Sequence, residues 1–149
     1  MKITERYYRI TGKLENLENI VLLAIRLILA YGFFVTAKLK VGNVEGIASW
    51  FASMHYPLPL LNAYLATITE VAGVILLALG LGTRIISIPL MIVMVVAITT
   101  VHWGNGFNAG NNGFEIPVYY LLFLFVLLVK GAGKLSIDYL IDTKAAHSN

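Results

Sequence analysis

The chain contains no cysteine. That excludes disulfides, thiolate metal sites and cysteine-based redox chemistry, so any electron transfer has to use a bound cofactor or a partner. Charge is also scarce. Asp, Glu, Lys and Arg make up 13% of the residues, where an ordinary soluble domain carries about 25%. Apolar residues fill 58% of the 149 positions. A single soluble core of this size could not bury that much apolar surface, but a bilayer can absorb it. Soluble-enzyme signatures are missing as well: there is no phosphate-binding glycine loop, no G-x-S-x-G and no H-E-x-x-H. Gly131-Ala132-Gly133-Lys134 stands at the end of an apolar run, where glycines cap helices. The net charge of +3 is small. Basic residues gather near the chain ends, which suits a lipid surface and gives no expectation of a nucleic-acid partner. Residues 1–19 are polar and of mixed sign, without the pattern of a cleavable signal.

What is present is a series of long apolar runs. A span needs about 20 mostly apolar residues. The runs predict an all-α, integral membrane four-helix bundle in one domain, residues 1–149, with spans at about 20–39, 60–81, 85–103 and 116–133. The purely apolar part of the last span stops at Val129, and Lys130 and Lys134 can snorkel. Gly80 to Arg84 reads as a tight turn and Gly104 to Gly113 as a loop. Pro117 fits a first helical turn, while Pro89 lies one turn inside the third span and is a candidate kink. Between the first two spans, Val44 to Met54 predicts a short interfacial amphipathic helix ended by two prolines, with an irregular loop as the plain alternative. If there are four spans, Lys2, Arg6, Arg9, Lys13, Arg84, Lys130, Lys134 and Lys144 share one side, against Lys38 and Lys40 on the other. That bias predicts both termini on the cytoplasmic side, in a multi-pass protein of the bacterial inner membrane.

Two charges interrupt the spans, Arg26 and Glu70. Each costs roughly 2.5–3.5 kcal/mol at a span centre on insertion scales, so the default reading of such a residue is functional. Counted from the outer span ends, their depths differ by only a few ångströms at about 1.5 Å per residue. An Arg26–Glu70 pair is therefore expected, either as a purely structural lock or beside a polar cavity. Lys38, His102, Trp103, Asn112 and Glu115 collect at the outer helix ends. Together they predict an outward-facing pocket with Glu70 at its floor. Each also has a plain alternative: His102 and Trp103 as an interfacial pair, Glu115 as a partner of a helix dipole, Lys38 as a snorkelling anchor. His55, His102, Met54, Met91 and Met94 have the chemistry for copper, but none of their spacings is that of a metal motif, and no metal ligand is assigned.

In order along the chain stand Arg26, Gly32-Phe33-Phe34, Lys38, Glu70, Leu79 to Arg84, His102, Asn112-Gly113-Phe114-Glu115 and Gly131 to Asp138. This series resembles the DoxX family of small four-helix bacterial membrane proteins. Ile88-Pro89-Leu90-Met91, Val101 to Phe107 and Asn111 to Glu115 are most similar to a DoxX-like branch found with copper-binding modified-peptide maturation systems. Those relatives usually carry a longer insertion before the fourth span. The resemblance implies a membrane role in redox, sulfur or quinone-linked metabolism, and one branch includes a subunit of thiosulfate:quinone oxidoreductase. A quinone is the cofactor it brings into view. On this reading Glu70, His102 and Glu115 handle protons, while Arg26, Lys38, Trp103 and Asn112 bind ligand. The alternatives are a non-catalytic assembly or docking partner of a redox or peptide-modifying enzyme, and a small transporter, which would require a homo-oligomer.

Overall fold

The computed structural model describes residues 17–147. The basic residues Lys2, Arg6, Arg9 and Lys13 lie outside that range. Among the described residues six α-helices follow one another: α1 (Glu18–Val41), α2 (Val44–Ser53), α3 (Pro59–Leu79), α4 (Thr83–Ala97), α5 (Glu115–Lys130) and α6 (Ile137–His147). No strand occurs among the described residues. A π turn, Ile98–His102, and a 3-10 turn, Trp103–Asn105, prolong α4, and a second 3-10 turn covers Ala109–Asn111.

Local chemistry accounts for the boundaries. Asn43 caps α2 by accepting the Gly46 N–H at 3.0 Å. Pro59 opens α3 at a position whose N–H has no helical partner in any case. Gly80 closes α3 at φ 66°. Its N–H reaches Leu77 O at 3.2 Å, and the Leu81 N–H reaches Leu76 O at 2.9 Å. That pair of bonds is the Schellman arrangement, which requires a left-handed residue. α4 runs through Pro89 as one helix, and its irregular stretch falls later, in the π turn. α5 stops at Lys130, short of the expected 133, because Gly131 and Gly133 take positive φ values of 83° and 78°.

α1 packs along α3, α3 along α4, α4 along α5, and α5 returns to α1, while α2 folds over the start of α3. Leu22, Leu29, Phe33, Leu77, Leu90, Leu124 and Leu127 fill the core between the long helices. A smaller cluster of Ala48, Phe51 and Ala63 seats α2. The outer faces are as apolar as the core: Ile28, Phe34, Ile68, Ile85, Ile92, Leu122 and Phe125 are all exposed. Contiguous apolar surface on this scale needs a lipid or protein environment. By length and composition, α1, α3 and the Thr83–Asn105 stretch are each able to cross a membrane. α5 is as apolar but has 16 residues.

Two ends can be distinguished. The α2 end holds α2 and the 103–114 loop. The α6 end holds the start of α1, the 80–83 turn and the C-terminal segment, joined by a Lys130–Glu18 ion pair at 2.9 Å and a Lys134 N–H to Asn19 Oδ1 bond at 2.7 Å.

Candidate functional site

The buried residues of α3 are Ala63, Thr67, Glu70, Gly73 and Leu77. They recur every three or four positions, so Glu70 lies on the stripe that faces α1 and α4. Its side chain is 2% exposed. Two residues of α1, four apart and hence on one face, meet its two oxygens. Thr36 Oγ1 donates to Oε2 at 2.9 Å, and the Lys40 ammonium forms an ion pair with Oε1. Lys40 keeps 21% of its side chain exposed, so the pair connects the interior to the surface at the α2 end. Thr67, one turn before Glu70, donates to Ala63 O at 2.7 Å and leaves the carboxylate to α1.

Lys40 and Thr36 were not singled out from the sequence. The available signal was their i, i+4 spacing opposite an isolated acid, but Lys38 presents the same charge two residues earlier. Two residues turn a helix by about 200°, so Lys38 points elsewhere. It is exposed and lines a groove with Phe34, Ala37, Val41 and Val71.

The expected Arg26–Glu70 pair is not formed. Arg26 is fully buried and turns to the α6 end, where Nη1 donates to Leu77 O at 3.3 Å and Nη2 to Leu135 O at 2.5 Å. The reason is axial register. Counting both spans from one outer plane places the end of α1 level with the start of α3. In fact α2 covers the first turns of α3, and Val41 lines a groove with Tyr64, Thr67 and Ile68. α1 is thus displaced along α3 by roughly two turns, which separates the two charges by about 14 Å along the axes at 1.5 Å per residue.

Around Arg26 the α6 end forms a knot. Asp138 accepts the Gly82 N–H at 2.7 Å and the Thr83 N–H at 3.1 Å, capping α4 from the far end of the chain. The Asp138 N–H in turn reaches Gly80 O at 3.0 Å. A Cβ on Gly80 would lie 1.8 Å from Arg26 Nη1. Gly80→Ala is therefore expected to cost about 2 kcal/mol or more, combining roughly 1–2 kcal/mol for the left-handed backbone with displacement of Arg26; a thermal melt in detergent measures it. Asp138→Ala removes a helix cap and is expected to cost about 1–2 kcal/mol in the same melt, with Asp138→Asn retaining part of the loss.

The remaining predicted site residues meet in the 103–114 loop. The ring Nδ1 of His102 is 2.8 Å from Asn112 O, which also accepts from Asn105 Nδ2 at 3.2 Å. Glu115 Oε2 accepts the Ala109 N–H at 3.0 Å, and Tyr119 donates to its Oε1 at 3.1 Å. Trp103 stacks on Phe114 at 5.4 Å. Asn112 holds a left-handed φ of 58°, and Gly113 is packed so closely that a Cβ would lie 2.3 Å from Gly106 O. His102, Trp103, Asn112 and Glu115 are therefore brought together, as the parts that close this loop. Glu70, Arg26 and Lys38 are engaged in three other places.

Apolar outer faces around a buried acid–lysine pair define an all-helical membrane protein. The DoxX family model matches residues 21–103, and the chain belongs to the DoxX family. Over 128 residues, 80% of this chain and 82% of the relative, it is 34% identical to an uncharacterized protein of Haemophilus influenzae (strain ATCC 51907 / DSM 11121 / KW20 / Rd). No solved structure matches the chain.

Proposed function

We propose that this DoxX protein is a redox-linked membrane subunit. The Glu70–Lys40–Thr36 cluster would hold or relay a proton for a small lipid-soluble ligand, such as a quinone head group or a sulfur compound. The observation that carries the reading is a carboxylate 2% exposed, halfway along an apolar helix, whose charge partner still touches the surface. Burial of an acid in such a helix costs enough that its default role is functional. Lys40 offers the route by which Glu70 exchanges protons with the outside. Arg26 then holds the opposite end of the fold rather than tuning Glu70. His102, Trp103, Asn112 and Glu115 shape the loop above the helices, and Lys38 is a second cation at the same end.

The same reading takes the chain as one membrane domain of four spans in the bacterial inner membrane, with both termini cytoplasmic. Supporting it, the start of α1, Arg84, Lys130 and Lys134 all lie at the α6 end, where a positive-inside bias places the cytoplasm. The 16 residues of α5 span about 24 Å; a short span of this kind is accommodated by local thinning and by snorkelling of flanking residues such as Lys130.

Complementation of a deletion strain tests the role. Glu70→Gln is expected to abolish complementation at normal membrane abundance, and Lys40→Gln to weaken it strongly. Full complementation by Glu70→Gln would end this reading. A docking role for a redox or modifying enzyme is favoured by one further observation: Leu135, Tyr139, Leu140 and Ile141 expose apolar surface beyond the last span. Under that reading truncation after Ser136, not Glu70→Gln, removes function and releases a stoichiometric partner on purification.

A further inference from the structure

At the α6 end, α1, α4, α5 and the C-terminal segment enclose a cleft of about 640 Å³. It uses none of the residues of the Glu70 cluster. Three cations, Arg84, Lys130 and Lys134, line it together with Glu18, Asp138 and Asp142. These formal charges balance, three against three, but they are not evenly paired. Glu18 pairs with Lys130, while the Asp138 carboxylate keeps its charge and turns its oxygens to the Gly82 and Thr83 N–H groups. No carboxylate among the described residues pairs with Arg84 or Lys134. Among the described residues the Arg84 guanidinium donates only to the Val129 carbonyl, at 3.2 Å. It packs against Gly131, where a Cβ would approach Nε to 3.2 Å. Lys134 is fixed by its backbone, through Asn19, while its ammonium remains exposed.

We infer that this cleft is a binding site for a phosphate-bearing anion, with Arg84 and Lys134 as its charge partners. The cleft opens where apolar helices end, and such basic pockets between spans suit an anionic lipid headgroup. A guanidinium whose fork is only partly used can still take a phosphate through two N–H groups, and a nearby ammonium adds a point charge. A soluble phosphate compound presents the same chemistry, so the source has to be separated by experiment.

Native mass spectrometry of the full-length protein in detergent provides the test. Phosphatidylglycerol or phosphatidylcholine with identical acyl chains is added, with and without inorganic phosphate. Phosphatidylglycerol is expected to be retained about tenfold or more over phosphatidylcholine, since each cation at a lipid surface is worth about 1 kcal/mol. The Arg84→Gln/Lys134→Gln double variant should lose that preference, and Lys38→Gln, at the other end, should keep it. Should the double variant fail to fold, Lys134→Gln alone retains the Asn19 bond and should show a several-fold loss. Saturable inorganic phosphate binding that requires Arg84 and Lys134, without lipid preference, would support the anion site and assign it to a soluble ligand. Equal retention of both lipids with no phosphate binding, or an undiminished preference in a folded double variant, would overturn the proposal.

Discussion

Replacing Arg26 with leucine is expected to lower stability by about 2–4 kcal/mol and to loosen the C-terminal segment first. The guanidinium donates to carbonyls on two separate elements, Leu77 of α3 and Leu135 beyond α5. Leu77 O retains the Gly80 N–H, so the larger loss falls on Leu135. A buried acceptor left without its partner costs about 1–3 kcal/mol. Relief from burying the cation itself offsets part of that cost, which keeps the figure below a simple sum of two charge-assisted bonds. Arg26→Lys retains the charge but not the fork, so it is expected to recover only part of the loss. Limited proteolysis of the purified protein separates this account from a general loss of packing. Cleavage between residues 131 and 147 should accelerate in Arg26→Leu while α3 and α4 stay protected. Equal protection of the C-terminal segment in wild type and variant would contradict the anchor.

The second large effect is expected at Lys40. Lys40→Met leaves the Glu70 carboxylate buried with Thr36 as its remaining hydrogen-bond donor. Removing one partner of a buried ion pair costs roughly 3–5 kcal/mol, because the other charge stays desolvated. Lys40 is 21% exposed, so solvent screening places the expected loss near the lower limit, about 3 kcal/mol. Adding Glu70→Leu to Lys40→Met should restore most of the stability, since neither charge then remains. A double-mutant cycle from reversible unfolding in mixed micelles reads the coupling directly. Additive losses would show that the two side chains do not depend on each other. Stability and function should separate here: the double variant is expected to melt close to wild type and to fail complementation.

Much of the architecture was legible in the chain. Lengths of apolar sequence and the Gly and Pro punctuation located the long helices to within a few residues, and the mixed aromatic and polar stretch at 44–54 located α2. These features depend on local spacing and on solvent preference, which a sequence displays. α6 was not anticipated, because Ile137–His147 is short and of mixed polarity and its start is placed by Asp138 and Arg26. Of the site residues, Glu70 stood out because a lone acid in an apolar run is costly wherever it lies. Its partners did not stand out, and the residues assembled as a pocket rim were gathered by their helix ends alone.

Taken alone, the sequence determined that the protein belongs in a membrane, where the long apolar helices and the short helix at 44–54 lie, where they turn and which charges need an explanation. Those properties follow from transfer energies and from periods of 3.6 residues, and both act along the chain. Only the tertiary structure decided the partners: Glu70 with Lys40 and Thr36, Arg26 with Leu135, Asp138 with the start of α4. Periodicity states which face of a helix is buried but says nothing of how far one helix slides along its neighbour. That displacement was decided by α2 folding over the beginning of α3, a packing choice that no local pattern records.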